Sequence, residues 1–160
     1  MSFSNSSRPE RMYKDDRPID QFFDKEELLY NRCLSDHIRG NSLLPSAIKF
    51  PDWSVNRSKY SDPEDVLFPK FFDWGIAQFT VGDVPDSLTS PGEIIYNFKV
   101  DHDPVEDNYA HSEIRTYKEE IHKKDLDVNN TVKKKFRQIL AEKTIVIRQP
   151  LISSHDLMEM

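Results

Sequence analysis

The sequence predicts an α+β fold, a small and mostly antiparallel sheet with two helices and a long irregular segment packed on it. Every second residue is apolar over 94–100 and small or weakly apolar over 110–116; these two stretches flank a turn-rich connection and predict a β-hairpin. Apolar residues at helical spacing predict helices at 25–34 and 131–142. Residues 43–69 contain four prolines and hold neither period for long, which predicts the irregular segment.

The composition predicts one cytoplasmic domain. A chain of 160 residues has the length of a single domain, which we place at 21–149 between a flexible polar leader, 1–20, and a tail, 150–160. Cys33 is the only cysteine, which excludes an intramolecular disulfide and a multi-cysteine zinc site. No apolar run approaches the roughly 20 residues that span a bilayer, and the first residues lack the apolar core of a signal peptide. We therefore expect no membrane contact.

Charge and motif content argue against several further classes. A net charge of −6 makes nucleic-acid binding an unfavoured alternative, because phosphate contacts need concentrated Lys and Arg. The basic residues of the C-terminal third are interpreted as a solvated face: Lys123, Lys124, Lys133, Lys134, Lys135 and Arg137. There is no GxSxG elbow, glycine-rich phosphate loop or Rossmann fingerprint, so we do not expect a nucleotide-binding enzyme and we expect no cofactor. Cys33 is interpreted as a small buried hydrophobic residue, with a nucleophile as the alternative.

The predicted hairpin sorts its side chains onto two faces. The apolar face is expected to carry Ile94, Tyr96, Phe98 and Val100 from the first strand and Ala110, Ser112, Ile114 and Thr116 from the second. His111, Glu113 and Arg115 then point to the opposite face. His102 continues the apolar face, so the alternation separates His102 from His111.

The other elements are predicted from caps and short apolar runs. A capping box at Asp24–Glu27 begins the first helix, and Asn130 caps the second. The apolar stripe of the second helix is Val132, Phe136, Ile139 and Leu140. Strands are predicted at 75–82 and 144–147, the latter from a β-branched run.

The hairpin turn holds the densest cluster of acid–base and metal-binding residue types in the chain. Its members are Asp101, His102, Asp103, Asp107, Asn108, His111 and Glu113. The catalytic candidates are His111, Asp101 and Glu113, and the metal candidates are His102, Asp103 and His111. The spacing matches no motif such as HExxH, and the two histidines are expected on opposite faces, so we predict no metal site. A hydrogen-bonded structural turn explains the same residue types.

Three segments carry a resemblance to a family. The chain has LLYNRC, then LPSAIKFPDWSV, then VDHDPVEDNYAHSEI. It resembles short bacterial proteins of unknown function with an LYRR helix, an RPSSxxFxDxxxSV segment and an HxPxxxNPAHAxV segment. The matching positions are Leu29, Tyr30, Arg32, Pro45, Ser46, Phe50, Asp52, Ser54, Val55, His102, Pro104, Asn108, Ala110, His111 and Ile114. Leu44, Ala47 and Tyr109 depart from the pattern. Leu44 and Ala47 stand where the pattern has Arg and Ser, which weakens an anion-binding or catalytic interpretation of the RPSSxxFxDxxxSV segment. The resemblance implies a small module of a bacterial multi-component system, plausibly one of defence.

The residues leave three hypotheses for function. The leading one is a non-enzymatic accessory or adaptor module that binds a protein partner. Its expected binding residues are Ser46, Trp53, Ser54, Asn108 and His111, and its aromatic anchors are Trp53, Tyr60, Phe71, Phe72 and Trp74. The second is a metal-dependent or histidine-based hydrolase or nuclease centred on the Asp101–His111 loop. The third is a small-ligand sensor whose pocket is lined by Ser46, Ser54 and His111.

Overall fold

The structure, a computed structural model, describes residues 8–151. Its strands are β1 (Leu28–Cys33), β2 (Ile38–Arg39), β3 (Ser42–Leu43), β4 (Asp52–Arg57), β5 (Gly75–Thr80), β6 (Ser87–Thr89), β7 (Ile95–His102), β8 (His111–Lys118) and β9 (Ile145–Arg148), and the α-helix is α1 (Asn130–Lys143). Across the described range, these nine strands form one antiparallel sheet in the order β2–β3–β9–β5–β1–β4–β8–β7–β6. Residues 1–7 and 152–160, the ends of the predicted leader and tail, lie outside the described residues.

The predicted fold class is wrong, because the structure is dominated by this large sheet and has one α-helix in the described chain where two were expected. The predicted helix 25–34 is strand β1, which lies between β4 and β5. Leu29 faces the main core and Tyr30 faces a second core on the other side of the sheet. A strand buried on both faces has a continuous apolar run, and a run of this length does not distinguish strand from helix. Asp24 accepts from the Glu26 backbone N–H in a turn rather than starting a helix.

The predicted irregular segment contains a central strand. Residues 43–69 include β4, which pairs with β8 from Asp52 to Asn56, and short 3-10 helices at Pro45–Ala47, Ser58–Tyr60 and Pro63–Leu67. β4 is short and begins directly after Pro51. The local pattern therefore has too few residues to reveal a strand, and the pairing with β8 decides it.

The hairpin and the second helix are confirmed. β7 and β8 pair from Tyr96–Lys118 to His102–Ser112, with the predicted apolar set on one face. The helix α1 agrees with the predicted 131–142 to within one residue at each end. Its cap is Asn129 rather than Asn130, and the Asn129 Oδ1 atom accepts from the N–H groups of Thr131 and Val132 at 2.9 and 3.2 Å.

Two apolar clusters cover the sheet unequally. Helix α1 covers one face, where Phe136 packs its ring against the rings of Phe50 and Phe98. On the other face, a smaller cluster of Tyr30, Val66, Leu67 and Ile76 covers only the region of β1 and β5. This apolar cluster does not extend over the polar side chains of β4, β8 and β7 on that second face.

Arg57, at the end of β4, ties the chain before β1 to the sheet. Its side chain is 0% exposed and donates two hydrogen bonds to the Glu27 carboxylate, each of 2.9 Å. The same guanidinium donates to the backbone carbonyls of Asp20 and Phe22 and lies 3.9 Å from the centre of the Phe23 ring. The chain from Asp20 to Glu27 is thus held against the sheet by one buried cation.

The described part of the predicted leader also makes specific contacts. Met12 is buried, and the Arg11 guanidinium binds both carboxylate oxygens of the buried Asp65 at 2.7 and 2.8 Å. Bidentate pairs of this kind fix geometry as well as adding energy.

Candidate functional site

The candidate site lies on the uncovered face of the sheet, where β4 and β8 are paired. Ser54 is directly opposite Glu113, and Asn56 is directly opposite His111. Residues two apart on a strand point to the same face. Four polar side chains are therefore brought together by strand register, two from each strand.

His111 is oriented by the backbone. Its Nδ1 atom lies 2.8 Å from the Asp103 carbonyl oxygen, which accepts a hydrogen bond from the ring when Nδ1 carries the proton. Its Nε2 atom then faces the Ser54 hydroxyl and the Glu113 carboxylate, with Ser54 Oγ and Glu113 Oε1 each at 3.4 Å. The Ser54 hydroxyl donates to Glu113 Oε1 at 3.0 Å. The arrangement holds an imidazole nitrogen next to a hydroxyl and a carboxylate.

The guanidinium of Arg115 forms ion pairs with three acidic residues beside His111 and Glu113. Arg115 lies 2.8 Å from Asp103, 3.5 Å from Asp52 and 3.6 Å from Asp101. The Tyr117 hydroxyl donates to Asp101 at 2.6 Å. Burial and this hydrogen bond raise the pKa of Tyr117 to about 12, so the phenol stays a donor at neutral pH.

A cleft opens beside the site because two central strands separate. β1 and β4 pair only at Leu29–Arg57 and Tyr30–Asn56. Beyond these pairs, the Asn31 side-chain amide donates to the Ser54 carbonyl at 3.0 Å in place of a ladder hydrogen bond. The cleft has a volume of about 340 Å³, and its polar lining includes Asn31, Asp52, Ser54, Asn56, Asn108 and His111, with Tyr30, Phe68 and Trp74 among the aromatic lining residues.

The cleft and its rim contain buried polar atoms without a hydrogen-bond partner. Asn108 Nδ2 donates to Asn56 Oδ1 at 2.7 Å. Within residues 8–151, no hydrogen-bond partner is found for Asn56 Nδ2, Asn108 Oδ1 or Glu113 Oε2. Asn56 is only 2% exposed. Leaving such a group unpaired costs about 1–3 kcal/mol, so these atoms require an explanation.

No protein-family model, curated protein or solved structure matches this chain. A proposal for the function of this protein therefore depends on the geometry of the site itself. The described residues include no helix that is long and apolar enough to cross a membrane.

His102 is separated from the site, as the alternation predicts. It is 3% exposed on the opposite face of the hairpin from His111. The Asp20 N–H donates to its Nδ1 atom at 2.8 Å, and its Nε2–H therefore donates to the Tyr109 carbonyl at 2.7 Å. Burial lowers the pKa of His102. This neutral imidazole joins Asp20 to the hairpin and is not available to a metal shared with His111.

The lowered pKa of His102 predicts a loss of stability in mild acid. The unfolded chain binds the proton at the ordinary His pKa of about 6.5, before the folded chain does. The stabilisation is complete above that pKa and is lost as the pH falls towards the lower folded pKa, by at most about 1.4 kcal/mol per pH unit. Urea unfolding of the wild type and His102→Gln between about pH 5 and 7.5 measures this slope, and we expect a smaller slope in the variant. Equal slopes in the two proteins would show that His102 is not the cause of the loss of stability.

Ser46 lies away from the cleft, and the predicted aromatic anchors are buried or partly buried. Ser46 lines a separate groove beside Lys133, Lys134 and Arg137 rather than the cleft. Trp53 is 4% exposed and stacks on the Phe79 ring in the main core. The remaining proposed aromatic anchors are partly buried: Tyr60, Phe71, Phe72 and Trp74.

Cys33 has the environment of a structural residue. The thiol is buried among apolar side chains of the main core, and this burial raises its pKa to about 11. A thiol with a raised pKa is a poor nucleophile at neutral pH.

Sequence reasoning missed Asn31 and Asn56 and found the rest of the cluster in the hairpin. The missed signal was the alternation of Asp52, Ser54 and Asn56 with Trp53 and Val55, which places three polar side chains on one face. That alternation is short and follows a proline, so it does not predict a strand unless the pairing with β8 is known. The polar positions Ser54, Asn108 and His111, taken from two separated motifs, do meet at this site.

Proposed function

We propose that the protein binds a small polar molecule with a flat ring in the cleft between β1 and β4. The observation that carries the proposal is the set of unpaired buried atoms on Asn56 and Asn108 in a cleft of about 340 Å³. Ligand clefts typically start at about 300 Å³ and combine apolar walls with a few convergent polar groups. This is the small-ligand hypothesis of the sequence analysis, with Asn56 and Asn108 replacing Ser46.

The lining selects the chemistry of the ligand. Asn56 Nδ2 is an unused donor and Asn108 Oδ1 an unused acceptor, so the edge of the ligand must supply both an acceptor and a donor. Tyr30, Phe68 and Trp74 provide aromatic surface against which a planar ring packs. A nucleobase or nucleoside combines both features and is of a size that fits the cleft.

Binding of nucleosides to the purified chain tests this proposal. Thermal shift and calorimetry with adenosine, guanosine, cytidine and uridine are expected to identify at least one that binds. A ligand at 100 times its Kd should add about 2.7 kcal/mol to the free energy of unfolding. Asn56→Ser should weaken that binding, because the serine side chain is too short to place a donor at the position of Nδ2, whereas Gln138→Ala, which lies outside this cleft, should not. No binding by any of the four, or equal binding by Asn56→Ser, would contradict the proposal.

A hydrolase is the second candidate. The observation in its favour is the 3.4 Å separation of His111 Nε2 and Ser54 Oγ, with Nδ1 held by the Asp103 carbonyl. This is the geometry of a base beside a hydroxyl nucleophile. The Ser54 hydroxyl donates to Glu113 rather than to His111, however, so the nucleophile is not aligned with its base. Turnover of a bound nucleoside ester, lost in Ser54→Ala, would favour this candidate over simple binding.

The protein-partner hypothesis has less support. Trp53, one of its five aromatic anchors, packs on the Phe79 ring in the core and is not available to a partner. A cytoplasmic setting, which the composition predicts, and a bacterial one, which the resemblance implies, remain part of the proposal. The free, buried thiol of Cys33 fits a reducing compartment.

A further inference from the structure

We infer that Asp103, His111 and Glu113 form a binding site for a divalent transition-metal ion at the rim of the cleft. Each of the three offers one ligand atom, and these atoms all lie within 4.8 Å of one another. His111 Nε2 and Glu113 Oε1 are 3.4 Å apart. Two ligands about 2 Å from one zinc ion in tetrahedral geometry have a similar separation. Asp103 directly follows β7, and His111 and Glu113 are the first and third residues of β8.

The hydrogen bond at the other ring nitrogen of His111, Nδ1, is typical of a histidine that binds a metal. Its Nδ1 atom is 2.8 Å from the Asp103 carbonyl, which fixes the ring and leaves the Nε2 lone pair facing Glu113. Metal-bound histidines usually donate their other N–H to a carbonyl or carboxylate in this way. The tautomer needed for metal binding is therefore the one that the backbone already selects.

The local charge favours a cation. Four carboxylates of the described chain contact either Arg115 or His111 in this region: Asp52, Asp101, Asp103 and Glu113. Arg115 contacts the three aspartates and leaves Glu113 without a guanidinium partner. Glu113 Oε2 is buried and has no hydrogen-bond partner among residues 8–151. An oxygen in that position is stabilised by a positive charge.

Asn56 gives independent support for an occupant. The residue is only 2% exposed. It lies directly opposite His111 in the strand pair, and both residues line the cleft. Its Nδ2 atom is an unused donor within the described residues. Three protein ligands leave a coordination position open to a water or ligand oxygen, and an amide N–H beside it would donate to that oxygen. One imidazole and two carboxylates are suited to Zn²⁺ or Mn²⁺.

The inference goes beyond nucleoside binding, and it is tested with the metal alone. Full-length chain, stripped with a chelator, is titrated with Zn²⁺ and with Mn²⁺ by calorimetry near neutral pH. We expect saturation at one ion per chain for at least one metal. Glu113→Gln, which keeps the shape of the side chain, should weaken that binding at least about tenfold, as should His111→Ala.

Two control variants separate this site from adventitious binding. His122→Ala removes an imidazole that contacts Asp52 outside the three-residue group, and Glu120→Gln removes an exposed carboxylate. Both should bind the metal as the wild type does. Circular dichroism and melting curves of Glu113→Gln establish that it is folded. Failure of both metals to bind would overturn the inference, and so would equal binding by wild type and Glu113→Gln. Co²⁺ absorption bands typical of nitrogen and oxygen ligation, lost in His111→Ala, would support it.

Discussion

Replacing Arg57 with methionine is expected to lower the free energy of unfolding by about 3–5 kcal/mol, a large part of the stability of a typical domain. The Arg57 side chain is 0% exposed and the Glu27 side chain is 7% exposed, so the variant leaves a carboxylate buried without its cation. It also removes the hydrogen bonds to the Asp20 and Phe22 carbonyls. Urea unfolding followed by circular dichroism measures the loss.

Two further variants show whether the buried charge pair is the cause. Adding Glu27→Gln to Arg57→Met should recover part of the loss, because the remaining buried group is then neutral. Lys59→Met removes a more exposed cation that contacts Asp20 at 2.7 Å and should have a much smaller effect. If Arg57→Met behaves like Lys59→Met, the proposed tie between the sheet and residues 20–27 is wrong.

The second large effect is expected for Phe136→Ala, which should destabilise the chain by about 3–5 kcal/mol. Phe136 is 1% exposed, and its ring centre lies 5.3 Å from that of Phe50 and 4.4 Å from that of Phe98. Its removal leaves a cavity between α1 and the sheet that the surrounding strands cannot fill. The denaturant midpoint of the variant gives the magnitude.

The neighbouring Lys135→Ala is the matched control for this measurement. Lys135 is exposed on the same helix, so its replacement should change stability by less than about 0.5 kcal/mol. A loss for Phe136→Ala below about 1 kcal/mol would mean that α1 does not pack on the sheet as described.

The parts of the fold that were predictable are those with a long local period. β7, β8 and α1 each repeat their pattern over several residues, so the chain itself shows which face is buried. The separation of His102 from His111 follows from the same alternation. β1 and β4 are short, and β1 is buried on both faces. The residue pattern of each strand would therefore also fit another type of element.

The site was predictable only in part, for a similar reason. His111, Asp103 and Glu113 are close in the sequence, and their residue types indicate metal or acid–base chemistry without showing that they meet. Asn56 belongs to the site only because β4 pairs with β8 in a register that places it opposite His111. The cleft exists only because β1 and β4 separate after two residue pairs.

By itself, the sequence determined the hairpin, the terminal helix and the face on which each hairpin side chain lies, because alternation and helical spacing are local properties of the chain. The tertiary structure alone decided that a proline-bounded segment is a central strand and that its asparagine and serine meet the hairpin histidine. Contacts between distant strands depend on pairing register, and register is set by the burial of the whole sheet rather than by any one segment.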